Sequence, residues 1–220
     1  MSIFNPTNSE HLLKPFGPTV GYFKMPDELL DVLNNSIEKK LHDFSDHLVG
    51  KVSQELKFDS ELEDLSLSML KNFVKKYVNF TIIQNTLGRN NLDINKEFNV
   101  KVVDGWFVRQ FAGEYNPLHV HPNSQMSCVG YLALPDNIEK EWEEDYKDHY
   151  PCKGHIEFLH GSSGKMHTHT FLVKPSVGDF FVFPSDLIHM VYPFYSDGER
   201  RSFSMNMSIV QQRIDENGKP

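Results

Sequence analysis

The pattern that most limits this chain begins at residue 98, where apolar and polar residues start to alternate in short runs. Phe98–Phe111, Ser127–Leu134, Ile156–Leu159, Thr168–Val173, Phe180–Phe183 and Ser202–Ile209 are rich in valine and aromatic side chains. Turn-forming residues separate them: Gly113, Asn116 and Pro117, then Pro135 and Asp136, then Gly161–Gly164, Pro175–Gly178 and Ser196–Gly198. Successive short strands with no helical period between them predict an all-β sandwich or barrel.

The first third of the chain has a different rhythm. Residues 1–25 read as irregular, punctuated by Pro6, Pro15, Gly17, Pro18 and Gly21, with Val20–Phe23 as a short edge strand. Pro26 stands where a helix accepts proline, in its first turn, and Leu29, Leu33, Ile37 and Leu41 then recur every four residues. A second helix is expected from Ser60, capped through Glu63, with Leu65, Met69, Phe73 and Tyr77 as its apolar stripe. Gly88–Lys96 reads as a polar turn, and the acidic segment Asn137–Asp148 as an exposed insertion. The expectation is a single domain: residues 1–97 as helical support, residues 98–220 as the β core.

Composition removes several classes of function. At 220 residues the chain is long enough for one substantial core, and 39% hydrophobic residues are too many for a disordered chain. A formal charge of -8 argues against a general nucleic-acid or anionic-membrane binder. No apolar run nears the roughly 20 residues of a membrane helix, and the N-terminus lacks a signal-peptide core. Two cysteines, Cys128 and Cys152, make no disulfide framework, so a reducing cytoplasm is expected.

Histidine is distributed unevenly. Of the 11 histidines, positions 119, 121, 149, 155, 160, 167, 169 and 189 fall in one stretch of the β region. His119 and His121 follow the turn at Gly113 and a strand; on a strand, residues i and i+2 face one side. His189 follows Gly178-Asp-Phe-Phe-Val-Phe-Pro184, a buried-looking strand that ends in a turn. Neutral imidazoles ligate iron, zinc, copper or nickel. His155, His160, His167 and His169 are expected to be polar hairpin positions or residues near a cavity mouth, not a second metal site. Trp106 and Phe107 read as core.

Taken in order, His119-x-His121, Ser127-Cys-Val-Gly-Tyr131, Gly178-Asp-x-x-Val-Phe-Pro184-Ser-x-Leu-x-His189 and Glu199-Arg200-Arg-Ser-Phe-Ser-Met-Asn206 resemble a 2-oxoglutarate/Fe(II) oxygenase. The similarity is greatest to the prolyl-hydroxylase-like group of bacteria and phages, and it runs from about Trp106 to Ile209. It implies a double-stranded β-helix (jelly roll) carrying Fe(II) on His119, His121 and His189. It further implies a dioxygenase that couples 2-oxoglutarate decarboxylation to succinate with C–H oxidation, usually hydroxylation, of a small-molecule or peptidyl substrate by O2. The substrate and the oligomeric state stay open, a homodimer included.

Arg200 lies 11 residues beyond His189, at the start of the last strand. Period two puts Arg200, Ser202, Ser204 and Asn206 on one polar face, and Arg201, Phe203 and Met205 on the other. An arginine fork is suited to anchoring the far carboxylate of 2-oxoglutarate, with Ser202 beside it. Tyr131 matches the family tyrosine that shares that task. One position departs from the usual pattern: His121 stands where the superfamily carries a carboxylate. Glu114 and Asp186 are the nearest replacements in sequence, and neither is expected to serve.

The same residues also fit cupin motifs. Gly113-x5-His119-x-His121-x3-Gln125 is similar to the first, and Gly178-x5-Pro184-x-Asp186-x2-His189 to the second. Cupins share the jelly roll but do not require Arg200 or Tyr131, which favours the oxygenase. In that case Gln125 is an ordinary polar or cavity-lining residue. A non-catalytic jelly-roll protein that binds a metal or a small acid is the third alternative.

Overall fold

The alternating segments pair into two antiparallel sheets in a computed structural model that describes residues 10–13, 17–39, 42–43, 49–86, 98–144 and 152–211. The strands are β1 (Glu10–Leu13), β2 (Val20–Lys24), β3 (His42–Asp43), β4 (Gln54–Lys57), β5 (Phe98–Phe111), β6 (Asn116–His119), β7 (Met126–Ala133), β8 (Ile156–Leu159), β9 (Thr170–Val173), β10 (Asp179–Pro184), β11 (Ile188–Val191) and β12 (Glu199–Gln211). Helices α1 (Asp27–Ser36), α2 (Ser60–Thr86) and α3 (Ile138–Glu144) interrupt them. The major sheet runs β1-β2-β10-β7-β12-β5-β4-β3 and the minor sheet β6-β11-β8-β9. This is the double-stranded β-helix. The polar turn at Gly88–Lys96, Leu41 and the end of the acidic segment lie outside the described residues.

Residues before position 98 do more than support the sheet with helices, for they supply β1 to β4. Val20–Phe23 is no edge. As part of β2 it pairs with β1 on one side and β10 on the other, and Val20, Tyr22 and Phe23 are fully buried.

Alternation along the major sheet divides its side chains between two cores. Phe180, Val182, Phe203, Met205 and Met207 face outward and are covered by Leu29 and Leu33 of α1 and by Leu70 and Val74 of α2. Phe181, Phe183, Val129 and Tyr131 face inward against Ile156, Phe158, Val173 and Val191 of the minor sheet. Gly130 sits opposite Phe203 in register, where a Cβ would lie 2.2 Å from the phenyl ring. Any larger residue there would displace the strand that carries the polar face of β12.

Two helical expectations need correction. The cap of α2 is Asp59, whose Oδ1 accepts from the Leu62 N–H at 2.8 Å. Glu63 instead reaches the sheet and accepts from the Gly105 N–H at 3.1 Å. The buried stripe is Leu62, Ser66, Leu70, Val74, Tyr77 and Val78, while Leu65 is 40% exposed. Only Tyr77 belongs fully to the expected stripe; Met69 and Phe73 pack at its margin.

A candidate metal centre in a charged cavity

Strand pairing brings the three motif histidines together. His119 ends β6, His189 lies in β11, and the two are directly opposite in register. His121 lies beyond the end of β6, so its place does not come from sharing a strand face with His119. The chain is held there by its N–H donating to the Ser185 carbonyl at 2.8 Å. One ligand atom from each histidine lies within 4.8 Å of the others. Ring centroids are 4.2 Å apart for His119 and His189, 5.1 Å for His119 and His121, and 5.2 Å for His121 and His189.

Two of the rings are already oriented. His119 Nδ1 meets the Pro117 carbonyl at 2.7 Å and His189 Nδ1 the Leu187 carbonyl at 2.8 Å. A carbonyl can only accept, so each Nδ1 carries the proton and each Nε2 keeps its lone pair for an ion. Burial lowers the pKa of all three imidazoles, that of His121 to about 4, and their mutual proximity adds to the effect at His121 and His189. Neutral imidazoles are the form that ligates.

These residues line a cavity of about 370 Å³ between the sheets, with Tyr131, Arg200, Ser202, Ser204 and Asn206 on its opposite wall. Period two along β12 thus holds from Arg200 to Asn206. Phe203 and Met205 go to the outer core, and Arg201 pairs with Glu38 at 2.8 Å and with Glu199.

Arg200 is 2% exposed and Tyr131 1%. Arg200 Nη1 donates to the Gly154 carbonyl at 3.0 Å and Nη2 to Gln110 Oε1, and the guanidinium lies 5.8 Å from the Tyr131 ring centroid. Arg200 Nε and the Tyr131 hydroxyl have no hydrogen-bond partner, and no described carboxylate pairs with Arg200. Burial pushes the Tyr131 phenol up to about 12 and lowers the Arg200 pKa. A buried cation and two orphaned donors in one cavity form an arrangement that an incoming carboxylate would complete.

The remaining sequence candidates lie elsewhere. Glu114 accepts from the Phe111 N–H at 2.9 Å and from Ser53, and Asp186 is exposed. Gln125 is exposed and does not line the cavity; its Oε1 accepts from the Ile209 N–H at 2.7 Å. His155 is buried beside Trp142, His160 and His167 are exposed, and none of these or His169 joins a potential metal group among the described residues. The acidic segment is not wholly a solvated face. Glu141 of α3 is buried and accepts from the N–H groups of Tyr195 and Ser196, which fastens the turn leading into β12.

Three cavity-lining residues, and one that braces Arg200, escaped the sequence reading. Gln110 is fully buried and holds the Arg200 fork. Trp106 is no ordinary core residue: it lines the cavity, 5.7 Å from the His121 ring. Asp104 and Glu55 line it too. Asp104, Trp106, Val108 and Gln110 alternate along β5, so their common face was available from period two. Glu55 had no such signal, because β4 is a four-residue strand.

Burial raises the Glu55 pKa from 4.5 to about 7, helped by Asp43 and Glu114, while a hydrogen bond with Asn116 opposes the shift. A folded-state value above the unfolded one stabilises below the unfolded pKa, and that stability is lost as pH rises through the folded value. Glu55→Gln is therefore expected to raise thermal stability relative to the native chain at pH 8, by up to about 3 kcal/mol, and to have little effect near pH 4. Unfolding curves at the two pH values measure this, and a variant equally or less stable at pH 8 would contradict it.

Residues 104–206 match the family model described as "Putative 2OG-Fe(II) oxygenase", a span that contains all three histidines, Tyr131 and Arg200. Over this span the chain is similar to the 2OG-Fe(II) oxygenases. Among solved structures, the chain is similar to a Pseudomonas putida prolyl-4-hydroxylase at 17% identity, covering 91% of this chain and 92% of that one with a TM-score of 0.50. A viral collagen prolyl hydroxylase from Paramecium Bursaria Chlorella virus-1, in a 2-oxoglutarate complex, gives 14% identity, coverage of 91% and 96%, and a TM-score of 0.48. A search of curated proteins gives no match. The first likeness agrees with the jelly-roll architecture, and the family match favours the oxygenase over the cupin reading. No described helix is long and apolar enough to cross a membrane.

Proposed function

We propose that this chain is a 2-oxoglutarate- and Fe(II)-dependent dioxygenase, a hydroxylase, with its iron on His119, His121 and His189. The observation that carries the reading is the pairing, in one cavity, of three neutral imidazoles with a buried Arg200–Tyr131 couple that lacks an acceptor. The donor set fits the cofactor: imidazole suits ferrous iron, and three protein ligands leave positions open. When bound, Fe(II) supplies oxidation of a substrate C–H bond by O2, coupled to conversion of 2-oxoglutarate to succinate and CO2.

The chain's own part is binding and orientation. Pro117 and Leu187 carbonyls fix the tautomers of His119 and His189. Arg200 and Tyr131 take the distal carboxylate of 2-oxoglutarate, and Ser202 presents its hydroxyl to the same cavity. Gln110 and the Gly154 carbonyl keep the guanidinium from turning away. Residues 1–97 and 98–220 act as one domain, since β2 and β4 pair with β10 and β5. Two cysteines in 220 residues make no disulfide framework, which supports a cytoplasmic setting.

Anaerobic addition of Fe(II) and then 2-oxoglutarate should produce a weak visible metal-to-ligand absorption band that saturates with 2-oxoglutarate. Failure of the iron-loaded protein to bind 2-oxoglutarate, read by calorimetry as well as by the band, would leave a non-catalytic metal-binding jelly roll as the better description.

A further inference from the structure

The anchor for the distal carboxylate depends on backbone as well as on side chains. Arg200 Nη1 donates to the Gly154 carbonyl at 3.0 Å. Gly154 is the third residue of a turn, Cys152–His155, closed by the His155 N–H donating to the Cys152 carbonyl at 2.9 Å. Its φ of +69° is the type II pattern, which favours glycine. The Gly154 carbonyl and the His155 N–H share one planar peptide and point in opposite directions. Closing the turn therefore aims that carbonyl away from Cys152, on the side where Arg200 meets it. Turning over the central peptide, Lys153–Gly154, would convert the turn to the type I form and redirect it.

That central peptide is held from α3. The Lys153 carbonyl accepts from Trp142 Nε1 at 2.7 Å and meets His155 Nδ1 at 2.8 Å. The indole packs on the His155 ring at a centroid distance of 5.7 Å, and Lys174 Nζ lies 4.1 Å from the indole centroid. Glu141, the neighbour of Trp142 in α3, fixes the second approach to Arg200. It accepts from the N–H groups of Tyr195 at 2.9 Å and Ser196 at 2.7 Å, in the turn that leads into β12. The two segments are also tied to each other: the Gly154 N–H donates to the Pro193 carbonyl and the Tyr192 N–H to the His155 carbonyl, both at 2.9 Å. Neither Trp142 nor Glu141 lines the cavity. Their bonds go to the backbone that orients the guanidinium, whereas Gln110 holds the fork from β5.

We infer that α3 is a positioning element for the cosubstrate, and that it sets Arg200 for the distal carboxylate of 2-oxoglutarate. Trp142 acts through the Lys153–Gly154 turn and Glu141 through the turn before β12. This rests on the oxygenase reading and assigns a role in it to a segment whose composition reads as an exposed insertion.

The test uses the full chain loaded anaerobically with Fe(II), with binding followed by calorimetry and by the visible band. Trp142→Phe keeps a ring against His155 and Lys174 but removes the N–H. Losing one hydrogen bond that orients the fork should weaken 2-oxoglutarate binding about fivefold. The second probe is 2-oxovalerate, which has the same chelating end without the distal carboxylate. Its affinity, like that of Fe(II), should change by less than about twofold, because neither uses the Arg200 fork. In an Arg200→Gln chain, adding Trp142→Phe should cost no further 2-oxoglutarate affinity. Glu141→Gln should show the same selectivity for the dicarboxylate, and it carries the comparison alone where unfolding curves show that Trp142→Phe is not folded. Equal losses for the two oxo acids, a loss undiminished without Arg200, or native 2-oxoglutarate affinity in the folded variants would overturn the inference. Absence of 2-oxoglutarate binding by the native iron-loaded chain would show the different failure, that of the oxygenase reading beneath it.

Discussion

Replacing Arg200 by glutamine should lower the affinity of the iron-loaded protein for 2-oxoglutarate by about 10²- to 10³-fold and leave iron binding in place. The guanidinium is buried and, among the described residues, meets only neutral acceptors, the Gly154 carbonyl and Gln110. Its charge therefore awaits a carboxylate, and a charge-assisted fork in a desolvated site is among the stronger contacts a protein makes. Losing one partner of such a pair costs about 3–4 kcal/mol, which corresponds to the stated range at about 1.4 kcal/mol per tenfold. Arg200→Lys should fall between, because it keeps the charge but not the planar fork. Gln110→Ala should weaken 2-oxoglutarate less than either, since it loosens the fork without removing it. Calorimetric titration of 2-oxoglutarate into the anaerobic iron-loaded variants measures all three. An Arg200→Gln protein that binds the cosubstrate like the native chain would exclude Arg200 as its anchor.

How much of this site could be read in the sequence depends on how far each feature is encoded locally. Phe98–Phe111 and Ile156–Leu159 match β5 and β8 because their apolar pattern and flanking turns coincide. The polar face of β12 was legible for the same reason: small polar residues alternate there with Phe203, Met205 and Met207, which enter the outer core. β6 and β11 were missed as strands. Each is four residues long, β6 contains Pro117, and their pairing is a long-range event that local pattern does not announce. The proximity of His121 to His189 depends on that pairing and on the contact with Ser185, so only the motif, not periodicity, pointed to it. The stripe of α2 was misplaced because Leu65 is as apolar as Leu62. Which of them is buried is decided by the sheet on which the helix docks. Glu55 and Glu141 were hidden in another way: acidic residues are normally solvated, and only tertiary contacts turned these inward.

The metal centre makes the second large prediction. His189→Ala should reduce affinity for Fe(II), or for Mn(II) as an air-stable substitute, by about 10³-fold, since a protein ligand contributes roughly 3–4 kcal/mol of a multidentate site. His189 is the most buried of the three, its Nδ1 is tied to Leu187, and Phe158 and Phe183 flank its ring. No described carboxylate joins the group to take its place. His121→Asp should behave in the opposite way. It adds one negative charge beside a divalent ion in a low-dielectric cavity, where three neutral donors leave the full charge of the ion uncompensated. Divalent-metal affinity should rise, by about tenfold or more, and the visible band of the 2-oxoglutarate complex should shift as the ligand field changes. Metal titrations of both variants under anaerobic conditions, with unfolding curves to confirm that each is folded, distinguish the cases. A His189→Ala protein that keeps native metal affinity would mean that the ion sits elsewhere. A folded His121→Asp protein that binds metal more weakly than the native chain would mean that His121 is required as an imidazole, and not only as the donor at a position where the family usually has an acid.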